Sequence, residues 1–264
     1  NKDAGKIVAA VNEDRKAAKN KTRFDFNYKI AKENPTKITF LGYQSGYKPS
    51  VISGQKRLFY NRKKPYELEV DFYDTYAPSL TIDKPLYYII PQGWVNVVAN
   101  LQRNNVEMYP IKSDTSLIVG MYMIEDFETL KRPYEGHYLH SNIKVQKVQQ
   151  EVKFRAGDWM VPMNQEANAY IMEVLEPEGE DSFFAWNYFD TIIQAKEGYS
   201  AYVFEDLAAE YLAKNPALRK ELEEKRMEDE EFASDGPAQL MWVYEHSPWK
   251  EKEHMCYPVF RVEQ

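Results

Sequence analysis

The chain holds one cysteine, Cys256, among 264 residues. A disulfide framework within the chain is therefore excluded, although secreted bacterial proteins can also lack disulfides, so the compartment stays open. No apolar run approaches the roughly 18 residues of a membrane-spanning helix. The eleven glycines form no phosphate loop: "PQGW" (91–94) has a single glycine where a dinucleotide turn needs three. Neither G-x-S-x-G nor H-E-x-x-H occurs. Positive charge is also short, with 34 Lys and Arg against 41 Asp and Glu and a net charge of −7. "NRKKP" (61–65) is a basic patch too brief and isolated for a nucleic-acid footprint, so nucleic acid is not an expected partner. No signal peptide is visible and the first residue is not Met, which leads us to expect a processed protein or a piece of a longer one.

The hydrophobic share of 44% and charged share of 28% are ordinary for a globular protein able to bury a sizeable core. Tyrosine is plentiful, with 20 Tyr beside 13 Phe. Tyr suits sheets with one wet face, because the ring packs while the hydroxyl stays hydrated. It also suits sugar or peptide binding.

Pattern divides the chain into three parts. Residues 1–34 read as a helical lead-in, with Ile7, Val8 and Val11 forming a narrow stripe on a helix over 2–19. Residues 35–163 read as β-rich. "KITFLGYQ" (37–44), "KRLFYN" (56–61), "YELEVDFYDTYAPSL" (66–80), "SLIVGMYMIEDF" (116–127), "NIKVQKVQQEVKF" (142–154) and "RAGDWMVP" (155–162) all carry strand character. "PLYYIIPQGWVNVVANLQRNNVEMYPI" (85–111) reads as strand, helix, strand, a βαβ-like unit expected to be parallel. Residues 164–264 read as mainly helical, packed on the β-rich part. Asn164, Ser200 and Asn215 are cap candidates, Glu221 and Lys225 can pair along one helix, and a last extended segment covers 256–263. The expected fold class is α+β.

Candidate chemistry is thin. His137 and His140, with Glu135, lie in "PYEGHYLHS" (133–141), where Pro and Gly indicate a loop; they are the weak candidates for a metal site. Cys256 follows His254 by two residues, a spacing that shares one face of a strand. "LEPEGEDSFFAWNYFD" (175–190) crowds Glu176, Glu178, Glu180 and Asp181 against aromatics. Glu176 and Asp181 could face each other as a glycosidase pair does. The alternative is a helix stop at Pro177, an acidic turn, and Asp181 capping a buried helix over 182–195.

Taken in order, "PLYYIIPQGWVNVVANLQRNNVEMYPI", "PYEGHYLHS", "GDWMVPMNQEANAYIMEVLEPEGEDSFFAWNYFD", "YSAYVFEDLAAEYLAKNPALRKELEEK" and "SPWKEKEHMCYPVFRV" resemble one family region. It is the segment that follows the catalytic domain in large bacterial zinc carboxypeptidases of the carboxypeptidase A type. The resemblance covers nearly the whole chain. That family hydrolyses C-terminal peptide bonds with zinc held by H-x-x-E and a distant His. No His here is followed by Glu three positions later, so no ligand can be carried over. The resemblance implies a non-catalytic accessory region, with no cofactor of its own and zinc in an upstream catalytic domain of the same polypeptide. It implies a secreted, periplasmic or cell-surface protein acting near peptide or cell-wall substrates. Tyr134, His137, Trp159, Glu176 and Asp181 are the expected interaction surface. A carbohydrate- or peptidoglycan-binding module is the alternative, motivated by the Tyr and Trp content.

Overall fold

The computed structural model describes residues 3–195 and 198–263. The architecture is α+β, as expected, and it divides into two units: residues 1–21 with 84–264, and residues 22–83. These boundaries differ from the compositional ones at 34 and 163. No described helix is long and apolar enough to cross a membrane.

The smaller unit is a ribbon of paired strands. β1 (Arg23–Ile30) pairs antiparallel with β4 (Tyr76–Asp83). Between them in sequence lie β2 (Thr36–Pro49) and β3 (Lys56–Phe72), which form a long hairpin. The lead-in expected to run to residue 34 therefore contains a strand, β1, which Phe24 and Phe26 anchor as buried residues. The β2–β3 hairpin slips register between Tyr43 and Gln44, where "RKK" (62–64) bulges on the opposite strand. Two glycines of β2 lie under aromatic rings of β3. Gly42 faces Tyr66 and Gly46 faces Phe59, so each ring covers the bare backbone that a glycine leaves.

The larger unit begins with α1 (Ala4–Asn20), none of whose residues is buried. The expected start at residue 2 lies outside the described residues. α1 is tied down at its end, where Glu166 receives Arg15 at 3.2 Å and Lys19 at 3.7 Å, and the Asn168 amide donates to the Ala18 carbonyl. A mixed-length sheet follows: β5 (Tyr87–Ile90), β6 (Tyr109–Pro110), β7 (Thr115–Thr129), β8 (His140–Phe154), β9 (Trp159–Pro162) and β10 (Phe260–Val262). Its spatial order is β6-β9-β5-β10-β7-β8, and every neighbouring pair is antiparallel.

That order corrects the expected βαβ unit. α2 (Val95–Arg103) does connect β5 to β6, and both strands run antiparallel to β9. They are thus parallel to each other but not adjacent, because β9 occupies the place between them. The unit is a split βαβ. Strand β5 is buried on both faces: Ile89 joins Val119, Met121, Phe154 and Phe260 in one core, while Tyr88 and Ile90 project to the other side.

The last hundred residues are helical where the periodicity indicates: α3 (Asn168–Leu175), α4 (Ala201–Lys214), α5 (Pro216–Glu228), α6 (Glu230–Ser234) and α7 (Gly236–Glu245). Phe204, Ala208, Leu222, Phe232, Val243 and Tyr244 form their core. The cap expectations are partly corrected. α3 starts at Asn168 rather than after Asn164, and Ser200 and Asn215 precede their helices without a side-chain capping bond. Asp229 and Asp235 do cap, accepting from Phe232 and Ala238. On α5 the ion pairs are Lys220–Glu224 and Arg226–Glu223, while Lys225 sits over the Phe232 ring.

The expected helix over 182–195 is the largest correction. Residues 183–189 form turns, and only Asp190–Ile192 is a short 3-10 segment. One helical turn closes with the Trp186 amide donating to the Ser182 carbonyl. Asn187 then takes a left-handed conformation at φ 51°, the Tyr188 amide reaches back to Phe183 and the Asn187 amide to Phe184. This is the 6→1 and 5→2 bond pattern that ends helices, here after a single turn. The burial expectation holds: Phe183, Phe184 and Phe189 are all buried.

Candidate functional site

The two carboxylates singled out in "LEPEGEDS" have separate fates. Glu176 follows the last residue of α3 and is 0% exposed. Its Oε1 takes short hydrogen bonds from Arg261 on β10 and from the Tyr88 hydroxyl on β5. Arg261, 1% exposed, also donates from Nη1 to the Tyr88 hydroxyl at 3.3 Å and from Nε to Glu263 at 3.1 Å. Burial, with the Glu176 carboxylate adding to it, pushes the Tyr88 phenol well above the usual tyrosine range. Burial opposes the charge on Arg261, but the adjoining Glu176 carboxylate overcomes it and holds the guanidinium protonated. Glu176 is thus a structural counter-ion and cannot belong to an interaction surface.

Asp181 stays exposed and accepts from the Trp186 indole at 3.2 Å. It does not cap the following turn. Ser182 does so, its buried hydroxyl accepting from the Ala185 amide and donating to the Pro177 carbonyl. Glu176 and Asp181 therefore do not open into one pocket, and a paired-carboxylate centre is not formed.

The three weak metal candidates are also dispersed. Tyr134 and His137 close a tight turn through reciprocal backbone bonds, with Glu135 and Gly136 at φ 48° and 84°. Glu135 is exposed at that turn. His140 opens β8 opposite Thr129 of β7 and is buried, its Nδ1 against Thr129 at 2.9 Å and its Nε2 against Asp190 at 3.1 Å. The His137 Nδ1 meets the Asn187 side chain at 2.6 Å. Among the described residues, no group of three or more His, Cys, Asp or Glu side chains is placed to hold a metal ion. Cys256 and His254 also part: His254 Nε2 bonds the Ile193 carbonyl, and burial pushes the Cys256 thiol up to about 11.

What the structure does assemble is a polar pocket of about 350 Å³ lined by Asn96, Asn100, Arg103, His137, Asn187 and Tyr188. On α2, Val97, Val98 and Leu101 face the core, which leaves Asn96, Asn100 and Arg103 on the opposite stripe at i, i+4 and i+7. Asn100 is held by the Tyr188 and Tyr170 hydroxyls at 3.3 and 3.2 Å. The His137 ring stacks on Tyr188 at 5.9 Å and meets the edge of Trp186 at 5.5 Å, and exposed Tyr134 borders Trp186. The lining offers amides, a hydroxyl, an imidazole and a guanidinium, with no carboxylate or thiol. Such a set can offer hydrogen bonds to carboxylate- or hydroxyl-bearing ligands.

Of the residues expected at the surface, His137 lines this pocket, Tyr134 and Asp181 both contact Trp186, which meets His137, and Trp159 is half-buried in β9. Asn96, Asn100, Arg103 and Asn187 were not visible as site residues. The i, i+4, i+7 polar stripe of α2 was the available signal.

No protein-family model matches the chain, and no solved structure does. Among curated proteins, Carboxypeptidase 2 of Trichophyton rubrum is 27% identical over 125 residues, 45% of this chain and 22% of its own length. Carboxypeptidase 2 of Trichophyton equinum is 25% identical over 124 residues with the same coverage. This relates part of the chain to carboxypeptidases, while the chain spans only 22% of the length of these relatives.

Proposed function

We propose that this chain is a non-catalytic accessory region of a secreted zinc carboxypeptidase, packing on the catalytic domain and shaping access of substrate. One observation carries the reading: α1 presents Ile7, Val8 and Val11 to solvent, although it is fixed to its own unit only near residues 15–20. An apolar stripe on a helix with no buried residue calls for a cover. The partial likeness to Carboxypeptidase 2 supports a carboxypeptidase domain as that cover in this reading. Among the described residues no side-chain group is placed to hold zinc, and in this reading the metal and the bond-breaking step belong to the upstream domain.

The chain alone, supplied with zinc and a peptide, is expected to release no C-terminal residue. Zinc-dependent release would overturn the proposal. In the longer polypeptide, Val8→Asp with Val11→Asp should loosen the junction and speed proteolysis between the two regions.

The second reading, a carbohydrate-binding module, draws on the pocket at Arg103 with its stacked His137 and Tyr188 rings, backed by Trp186 against His137. Calorimetry with peptidoglycan fragments decides it: saturable binding that Arg103→Ala abolishes would favour this reading over the first.

A further inference from the structure

Folding gathers one basic stretch of the sequence onto the distal half of a hairpin. Between Ser45 and Pro65 the chain has six Lys and Arg and no Asp or Glu. The whole chain carries −7, so the remainder carries −13 once these six cations are set aside. Lys48 pairs across the β2–β3 hairpin with Arg57, and Pro49 with Lys56. Arg62, Lys63 and Lys64 fill the bulge lower on the same strand. All six are exposed, and no ion pair engages any of them among the described residues.

The tip of this hairpin is apolar. Val51 and Ile52 are 96% and 93% exposed, the most open large hydrophobics among the described residues. Their presentation is fixed by the turn. The Ser50 hydroxyl accepts from the Ile52 and Ser53 amides, the Gly54 amide returns to the Ser50 carbonyl, and Gly54 takes φ 69°. Just behind the tip, exposed Tyr47 pairs with exposed Leu58, and exposed Tyr60 follows. The tip stands about 45 Å along the strands from the Thr36–Phe72 root, at the usual rise per residue.

We infer that the distal half of the β2–β3 hairpin is a docking finger for anionic lipid surfaces, with Val51 and Ile52 entering the bilayer interface and the basic collar meeting the headgroups. An exposed apolar tip with tyrosines and cations interspersed behind it is the make-up of an interfacial membrane anchor. Each cation near an anionic surface adds roughly fivefold to partitioning, enough for six of them to hold a protein that is otherwise acidic. A nucleic acid or an acidic protein would use the cations but leave Val51 and Ile52 in water. The finger lies on the interface and does not span it. Its role stands independently of the carboxypeptidase reading.

The test is co-sedimentation of the full chain with vesicles of phosphatidylcholine alone and of phosphatidylcholine with about one-third phosphatidylglycerol. The expected result is binding to the anionic vesicles only, reduced at least about tenfold by Val51→Asp with Ile52→Asp and also by Lys63→Glu with Lys64→Glu. All four positions are solvent-exposed, so the fold should survive, and circular dichroism checks this. Ile52→Trp should shift its emission to the blue on anionic vesicles. Failure to sediment with anionic vesicles would overturn the proposal. So would binding that the tip substitutions leave unchanged while a soluble oligonucleotide competes it away, which would point to a polyanion instead.

Discussion

The Glu176 carboxylate and the Arg261 guanidinium form an ion pair inside the core, one following α3 and the other on the central strand β10. Removing one member takes from the other buried charge its closest partner, at a cost of about 3–5 kcal/mol. Glu176→Ala and Arg261→Met should each lower stability by that much in urea titrations. Glu176→Leu combined with Arg261→Met should lose less than the sum, because no unpaired charge remains. Additive losses would show that the two residues act separately.

The turn that delivers Glu176 depends on Ser182 and Gly179 rather than on Asp181. Ser182→Ala removes a buried acceptor and donor together and should cost about 1–2 kcal/mol. A Cβ on Gly179 would lie 2.8 Å from the Glu173 carbonyl oxygen, a backbone atom that cannot swing aside. Gly179→Ala should therefore cost about 1–3 kcal/mol. Asp181→Asn, at an exposed position with one indole contact, should stay within about 0.5 kcal/mol. Thermal melts of the three variants rank them.

Cys256 gives a pH signature. Burial raises its folded pKa to about 11, above the ordinary thiol value, so the folded state keeps its proton longer than the unfolded one. Both states are protonated below the unfolded pKa. As pH climbs from there through about 11, the unfolded state ionises first and stability falls. Alkylation of the native protein by iodoacetamide should be slow at pH 8 and rise towards pH 11. In urea, the rise should come at lower pH.

Hydrogen exchange should grade α1 along its length. Its exposed early turns have no tertiary anchor, whereas its end is held by Glu166 and Asn168. Amides of the first turns should exchange at near-helix-coil rates and those near residue 18 more slowly. Uniform protection would mean that the stripe at Ile7, Val8 and Val11 is already covered.

Local pattern made much of this legible. The alternation in "NIKVQKVQQEVKF" and the apolar run in "LYYII" marked β8 and β5, and Asn215-Pro216 marked the start of α5. What escaped was set by distance along the chain. β9 enters between β5 and β6 from some 50 residues further on, so a strand–helix–strand pattern looked like an adjacent parallel pair. Glu176 read as a candidate paired or surface carboxylate because Arg261 lies 85 residues away. His137 meets Asn187 across 50 residues, and "NRKKP" looked isolated because Lys48 and Arg57 join it only through the hairpin. The failed helix over 182–195 has a local cause instead. Asn187 tolerates the left-handed conformation, and nothing in an apolar run announces that.

β10 has three residues and lies between β5 and β7, in the middle of the larger sheet. While the protein is being made, β6, β9 and β5 can pair as one half and β7 and β8 as the other, but no strand lies between β5 and β7 until residue 262 has left the ribosome. The native sheet is therefore closed from its centre by its last strand. Clipping after residue 255 would remove β10 and leave two half-sheets with raw inner edges exposed to other chains.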